Sequence, residues 1–451
     1  MKTINIYIIL FAALLIASCK KDASFAPTVK PITVSVKATY DTSGGNYVFP
    51  LSNIYVKLTN LYTTAVITGY TDANGTATFK DITAGNYDVN ASITISRQTY
   101  ESITGLPLSR DSITLNGGLS KITVNDVTNK TIDIKLMLGS IGDWVFKQIY
   151  YAGSNASTGA VFRDQFVEIY NNSNHVLYAD SLCIAQVYGS NTAAPDYTKG
   201  YYITEGVLKG QYDWTKSLGM PSGIGAVDKY VYAKTIMRIP GTGTTYPVQP
   251  GGTILIAATA INHKAPYVGA DGTAIPIKDP SLTVDLSKAD FEVYLGKNFP
   301  SPLNSDIDNP NVPNMEVIDR GGNKDWILDN LGRDAMIIFK SNGDMVGKYS
   351  QYPDPTVTSI SSATTQYFQV PIADVIDGVQ IQHAVPASRV PRKITGTIDG
   401  GATNVPAGQY SSQSIIRKTA KTIGGRRVLT DTNNSTTDFD YLSKSEPGAF
   451  K

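Results

Sequence analysis

Apolar residues recur at every second position in short runs, and clusters of Gly, Pro, Asn, Asp and Ser separate the runs. Ile32, Val34 and Val36 alternate with Thr33, Ser35 and Lys37; Ile54, Val56 and Leu58 repeat the pattern, as do Ile132, Ile134, Leu136 and Leu138. Alternate side chains of an extended chain share a face, so each run reads as a strand with one apolar side. Long stretches with a 3.6-residue period are hard to find, and residues 371–384, with Ile372, Val375, Ile376 and Val379, hold one of the few candidate helical turns. The chain is therefore expected to be all-β, and its 39 Gly and 23 Pro supply the turns that such a fold needs. A chain of 451 residues has room for about two to four domains of ordinary size.

Residues 144–184 carry two apolar runs, WVFKQIYYAGS and DQFVEIYNNSNHVLYADSLCI, that read as paired strands. Over residues 166–170, Val167 and Ile169 face one way and Phe166, Glu168 and Tyr170 the other. Asn171-Asn172-Ser173-Asn174 then turns the chain, because Asn tolerates positive φ and bonds its own backbone. Cys183, between Leu182 and Ile184, reads as a small core side chain rather than a nucleophile.

Lysine and arginine total 39 against 38 acidic residues, a formal charge of +1. A neutral chain without a basic run lacks the electrostatic footprint of a nucleic-acid binder. It is also not built to steer strongly charged substrates. At the start, Met1-Lys2 precedes an apolar run from Ile4 to Ala17 and then Ser18-Cys19-Lys20-Lys21-Asp22. A basic start, an apolar stretch of about 7–15 residues and a small residue before cleavage define a secretory signal, and the run is shorter than the ~20 residues of a spanning helix. Ile16-Ala17-Ser18-Cys19 resembles the bacterial lipobox. That resemblance implies removal of residues 1–18, lipidation of Cys19 and a tether over residues 19–30. Cys183 is then the one remaining thiol, and no intramolecular disulfide can form.

Asp72-Ala73-Asn74-Gly75 supplies a tight turn in which Gly75 can take positive φ. Gly85-Asn86-Tyr87 opens a strand with Tyr87, Val89 and Ala91 inward. The turn at 71–79 and the strand at 82–87 resemble the signature of carboxypeptidase-regulatory-like, prealbumin-type β-sandwiches of bacterial surface proteins, over about residues 31–139. The resemblance implies a seven-strand sandwich used as a spacer or docking module, without catalytic residues.

Beyond a joint at 139–142, four segments resemble strands of the lamin-tail domain, an immunoglobulin-like sandwich. They are Ile149-Tyr150-Tyr151-Ala152-Gly153, the Phe166-Val167-Glu168-Ile169-Tyr170-Asn171 run, residues 248–257, and Ser414-Ile415-Ile416-Arg417. Glu446-Pro447-Gly448 resembles that domain's closing Pro-Gly; Gln148 stands where an acidic residue is expected, and the late Trp is absent. This resemblance spans residues 142–451 and implies that the opening strands meet a partner near Ser414–Arg417, with insertions at about 185–247 and 258–320. The lipobox, the sandwiches and the tail from Arg417-Lys418 through Gly425-Arg426-Arg427-Val428-Leu429 to Asp431-Thr432-Asn433-Asn434-Ser435-Thr436-Thr437-Asp438-Phe439 are similar to a family of uncharacterised Bacteroidota outer-membrane lipoproteins. That similarity implies outer-membrane anchoring without a known activity.

The candidate binding residues lie in the insertions. Residues 185–247 carry Tyr188, Tyr197, Tyr201, Tyr202, Tyr212, Trp214, Tyr230, Tyr232 and Tyr246. Rings with polar tips can stack on sugars, cofactors or partner proteins. A long excursion also needs a core of its own, and packing onto the sandwich is the preferred reading; Tyr201, Tyr202 and Trp214 are the candidates if a binding surface exists. Asp306-Ile307-Asp308-Asn309 clusters oxygens that suit a hard cation such as calcium. It lacks the glycine and distal Glu of an EF-hand loop, so a polar Asn-Pro loop is preferred.

Only His175, His263 and His383 occur, none in H-E-x-x-H. G-x-S-x-G, Walker and G-x-G-x-x-G motifs are absent, and Gly241-Thr242-Gly243 reads as a loop. No catalytic residue, metal site or cofactor is assigned. The expected function is that of a non-catalytic, outer-membrane-anchored lipoprotein, held to the bilayer by its lipid. It would bind a ligand or partner as an accessory of a TonB-dependent type of outer-membrane transporter, with no nucleic-acid partner. A surface adhesin or structural envelope protein is the first alternative; a hydrolase using carboxylates of the inserted loops is the second.

Overall fold

The computed structural model describes residues 32–40, 47–105, 112–125, 131–138, 143–173, 175–298 and 303–451. Cys19, the leader before it and the tether lie outside the described residues.

β-Structure dominates, as the alternating runs predict. The N-terminal strands follow one another in the order Val66–Tyr70, Tyr55–Asn60, Gly85–Ser96, Ser112–Val124, Thr131–Leu138, Ile32–Tyr40 and Thr76–Ile82. Ile32, Val34, Val36 and Ala38 point inward along their strand, and they share a core with Val56, Leu58, Phe79, Tyr87, Val89, Ile134 and Leu136. At the Asp72 turn, one carboxylate oxygen accepts the N–H groups of Asn74 and Thr76, both at 2.9 Å. Gly75 sits there at φ 77°, and a Cβ on it would lie 2.8 Å from the Ala38 carbonyl oxygen. One helix, Arg97–Thr104, interrupts the strands; the Ser96 hydroxyl caps it by accepting from the Thr99 N–H at 3.2 Å.

From Trp144 onward two sheets share a core. The first, here the Trp144 sheet, runs Phe291–Glu292, Thr253–Ala257, Phe166–Asn171, Trp144–Tyr150, Ser414–Arg417, Phe439–Leu442. The second, the Leu182 sheet, runs Gln351–Tyr352, Tyr367–Pro371, Tyr230–Arg238, Leu182–Val187, Ala335–Lys340, Val375–Gln380, with Glu316–Asp319 also pairing with Tyr230–Arg238. Phe146, Val167, Ile169, Ile254, Ile256 and Ile415 of one sheet meet Ile184, Met237, Met336, Ile338 and Val379 of the other. The late strand joins the opening one as expected, with Ile415 opposite Ile149 and Ile416 opposite Gln148.

Every residue of Trp144–Tyr150, Phe166–Asn171 and Leu182–Val187 is buried, on both faces. Val167 and Ile169 face the shared core, whereas Phe166 and Tyr170 pack beneath loops on the far side. Cys183 is buried with Ile337 and Phe339, and burial pushes its thiol up to about 12, so it is an inert core group. The helical turn expected at 371–384 is confined to Ile372–Asp374; Val375–Gln380 is a strand, claimed by its antiparallel ladder with Ala335–Lys340.

A buried ion cluster ties the sheets together. Arg417 Nη2 lies 2.7 Å from Asp377 of the Leu182 sheet, while Nη1 lies 3.2 and 3.4 Å from Asp431 and Asp438. The same Asp377 carboxylate accepts the Phe146 N–H at 2.7 Å, and Arg417 Nε donates to the Phe146 carbonyl at 2.8 Å. Burial pushes Asp377 up to about 7 and Asp438 up to about 6, against the pull of Arg417. The Asn-Asn-Ser-Thr-Thr-Asp tail is thus a structural element: Asp438 accepts from the Thr432 N–H at 2.9 Å and the Thr432 hydroxyl at 2.7 Å.

Candidate functional site

The aromatic excursion leaves the Leu182 sheet after Val187 and returns as Tyr230–Arg238, the antiparallel neighbour of the strand it left. Its true extent is therefore 188–229, because both ends of the expected 185–247 insertion belong to sheet strands. Likewise the 258–320 insertion contributes Phe291–Glu292 and Glu316–Asp319 to the two sheets.

Two copies of one local motif shape the excursion. In Asp196-Tyr197-Thr198-Lys199 the Asp196 carboxylate accepts from the Thr198 N–H at 3.1 Å and its hydroxyl at 2.7 Å. In Asp213-Trp214-Thr215-Lys216 the Asp213 carboxylate accepts from the Thr215 N–H at 3.1 Å and its hydroxyl at 2.5 Å. Each forms one turn of 3-10 helix and sets one aromatic ring. Gln211 anchors the segment: its carbonyl accepts the Ser190 N–H at 2.7 Å, and its amide donates to the Ser190 and Pro391 carbonyls at 3.1 and 2.9 Å.

The two rings go opposite ways. Trp214 is only 6% exposed and stacks on Tyr232, with ring centres 3.4 Å apart and planes within 7°. Its assignment as a ligand-binding residue is corrected: the excursion needs a core, and Trp214 with Ala226 and Tyr232 forms it. Tyr197, by contrast, is 40% exposed. Tyr201 and Tyr202 are half-buried and lie on the outer side of this small core. Tyr202, Tyr212, Tyr188 and Tyr367 stack as a column, with successive centres 5.6, 6.0 and 3.7 Å apart and interplanar angles of 15°, 23° and 13°. Tyr197 and Tyr201 flank Tyr202 at 6.4 and 4.8 Å. The Tyr188 hydroxyl donates to Asp354 at 2.7 Å, and burial, then Tyr367 and Asp354, raise its pKa well above the usual phenol value. The result is a ledge of tyrosine rings, five carried by the excursion and Tyr367 by the strand Tyr367–Pro371. Tyr188 and Tyr212 are read from sequence only as rings of the insertion and Tyr367 is not read at all, although the repeated Asp-aromatic-Thr-Lys motif marks where the ledge is built.

Asp306 and Asp308 do not converge as an oxygen cage. The Asp306 carboxylate accepts the Leu295 N–H at 3.1 Å, whereas Asp308 accepts from the Asn314 amide at 2.8 Å. Glu292 accepts the N–H groups of Asn309 and Ala260 at 2.6 and 2.9 Å. Burial pushes Glu292 and Asp306 up to about 7, and their bonds make them pins for the 258–320 loops. Among the described residues, no three His, Cys, Asp or Glu side chains group so as to hold a metal ion. His263 is buried with Nε2 against the Thr259 carbonyl at 3.0 Å, and burial pulls it down to about 4. His175 is exposed, and His383 Nδ1 accepts the Val385 N–H at 2.9 Å. Gly241-Thr242-Gly243 is a loop, wrapped around Asp180, whose carboxylate accepts the Gly243, Thr245 and Tyr246 N–H groups at 2.8–2.9 Å.

Residues 249–445 match the model of the DUF4876 family. The family is described as one of unknown function, and the matched stretch includes the Arg417 cluster and the strands Thr253–Ala257 and Ser414–Arg417. A DUF4876 family protein from Bacteroides thetaiotaomicron is similar in fold, at 23% identity and a TM-score of 0.50, covering 91% of this chain and 94% of that one. A DUF3823 family protein from Parabacteroides merdae (11% identity, 49% and 95% coverage) and BcpA, the major pilin subunit of Bacillus cereus (10% identity, 76% and 95% coverage), both give a TM-score of 0.14. At that score neither likeness bears on this chain. No curated protein matches it.

Proposed function

We propose that the protein is a non-catalytic binding module of the bacterial outer membrane. It is tethered through a lipid on Cys19 and docks a partner, an outer-membrane transporter of the TonB-dependent type, on its tyrosine ledge. The observation that carries this reading is the column Tyr202–Tyr212–Tyr188–Tyr367 with Tyr197 and Tyr201 at its rim. Rigid aromatic side chains offer large contact area at small entropic cost, which suits them to protein recognition. The lipobox supports the anchor. The lamin-tail reading draws support from the placement of its four segments in one sheet, and the prealbumin-type reading from the Asp72 turn. Both are sandwich types used for spacing and docking, and neither brings catalytic residues.

The test has two arms. Labelled palmitate should enter the protein in growing cells and fail to enter a Cys19→Ala variant. Affinity purification from solubilised membranes should recover an outer-membrane transporter with the native chain. Recovery of adhesion or envelope-assembly proteins instead would favour the structural alternative, and turnover of a glycoside or ester substrate panel by the purified chain would favour the hydrolase alternative.

A further inference from the structure

The strands Thr419–Ile423 and Arg426–Leu429 form a two-stranded hairpin of their own, outside the two large sheets. Gly424 and Gly425, at φ 55° and 83°, make its two-residue turn. A Cβ on either glycine would meet no atom of the described residues within 4 Å, so the tip stands clear of the fold. The base is fixed: the Asn172 amide accepts the Leu429 N–H at 2.8 Å and donates to the Leu429 carbonyl at 3.1 Å, and the Tyr170 hydroxyl donates to the Arg427 carbonyl at 2.6 Å. A lone two-stranded hairpin is marginal in water; here Leu429, buried with Val145 and Tyr170, holds it.

The hairpin gathers charge that the sequence spreads out. Lys418, Lys421, Arg426 and Arg427 lie on it or at its base, and residues 418–430 contain no acidic side chain. The next carboxylates along the chain are taken, Asp431 and Asp438 by Arg417 and Asp440 by Lys451, so none of the four finds a carboxylate partner among the described residues. Arg426 donates to the Asn172 carbonyl at 3.2 Å; Arg427 donates to the Thr419 hydroxyl at 3.3 Å and lies 4.8 Å from the centre of the Phe450 ring. Those contacts orient the guanidinium groups without neutralising them. Lys57 of the N-terminal sandwich adds a like charge nearby: burial first, and then Lys418, pull its ammonium below the usual lysine value.

The tip is also apolar, with Ile423 52% exposed. In the ladder Ile423 lies opposite Arg426 and Lys421 opposite Val428, and strand alternation puts these four side chains on one face. A soluble polyanion has no use for an exposed isoleucine between cations. A bilayer surface offers phosphates to the cations and an acyl boundary to the isoleucine.

We infer that this hairpin seats on an anionic bilayer surface, with Ile423 at the acyl boundary and Lys418, Lys421, Arg426 and Arg427 at the lipid phosphates. Each Lys or Arg near such a surface strengthens binding about fivefold, and salt screens the gain. The contact takes from the proposed anchoring only that a bilayer is close by, and it shares no residue with the tyrosine ledge. A lipid tether alone leaves the body free to turn, whereas a second contact fixes which side faces the membrane.

The test uses the full chain with Cys19→Ala, so that no lipid on the protein contributes, and a dansylalanine placed at Ile423. Vesicles of phosphatidylglycerol and phosphatidylcholine in equal parts should shift the probe's emission to the blue. Vesicles of phosphatidylcholine alone should need at least about tenfold more lipid for the same shift, and about 1 M salt should weaken the anionic case to that level. Lys421→Glu reverses an exposed charge, so the chain should unfold as the native one does while half-saturation needs about tenfold more lipid or above. Lys421→Arg should bind as the native chain does. No shift with anionic vesicles, equal binding to both vesicle types, or undiminished binding by Lys421→Glu would each overturn the proposal. A shift with duplex DNA or polyphosphate and none with vesicles would give the cations to a soluble polyanion and overturn it as well. Palmitate labelling and membrane purification read the anchor and the partner separately, so failure here is distinguishable from failure there.

Discussion

Replacing Arg417 by Met removes the cation that contacts three buried carboxylates and leaves an apolar side chain of similar length. The contacts at 2.7 Å to Asp377 and at 3.2 and 3.4 Å to Asp431 and Asp438 vanish, and the Phe146 carbonyl loses its donor. Breaking a buried pair from one side costs about 3–5 kcal/mol, because the remaining charges have neither water nor a counter-ion. The cost should depend on pH. In the native chain Asp377 is pushed up to about 7 and Asp438 up to about 6, above the usual value of about 3.9. The folded state therefore holds protons that the unfolded state releases. Their stabilising contribution is complete below about pH 4 and is lost as pH rises through about 7. Without Arg417 both carboxyls hold their protons to higher pH, and each further unit adds about 1.4 kcal/mol per carboxyl kept protonated. Urea unfolding followed by tryptophan fluorescence, at about pH 5 and about pH 8, reads this directly, since Trp144 lies in the shared core. Arg417→Met should lose about 3 kcal/mol or more at the higher pH and clearly less at the lower one. Adding Asp377→Asn should recover part of the loss, because an amide oxygen still accepts the Phe146 N–H without a charge. A loss under about 1 kcal/mol at pH 8, or an equal loss at both pH values, would refute the cluster's role as the tie between sheets.

The native chain itself should be more stable near pH 5 than near pH 8: burial also pushes Asp164, Glu292 and Asp306 up to about 7 and Asp325 up to about 6, all in the same direction. Thermal melts across that range check it, and a melting point that rises toward pH 8 contradicts it. Trp214→Ala should cost about 3–5 kcal/mol and expose residues 188–229 to protease before the sheets unfold, as limited proteolysis would show. Gly241→Ala would place a Cβ 2.1 Å from the Asp180 carboxylate at φ 129°, so a destabilisation of about 1–3 kcal/mol is expected in chemical denaturation.

The N-terminal sandwich was readable because its strands are half-buried: Ile32–Tyr40 alternates buried and more open positions, and alternation is what a sequence displays. The Trp144 sheet is covered on both faces, and there the pattern misleads. Lys147 and Glu168 look like solvent-facing residues, yet they form a buried pair at 3.2 Å beneath the C-terminal segment. No local signal distinguishes a paired charge from a solvated one. The late strand Ser414–Arg417 was legible through its resemblance rather than its periodicity, since four residues carry too little pattern to set a partner so distant in the chain. In the excursion, composition revealed that rings would cluster but not which way each would turn. Asp196 and Asp213 cap identical turns, and only the surrounding packing sends Tyr197 outward and Trp214 inward.

Photo-crosslinking from the ledge tests the central claim most directly. A benzoylphenylalanine placed at Tyr202 should trap an outer-membrane protein in living cells. The same probe at Tyr62, which is 93% exposed on the N-terminal sandwich, should trap none. Adducts from both positions, from Tyr62 alone or from neither would contradict a docking surface built on the tyrosine column.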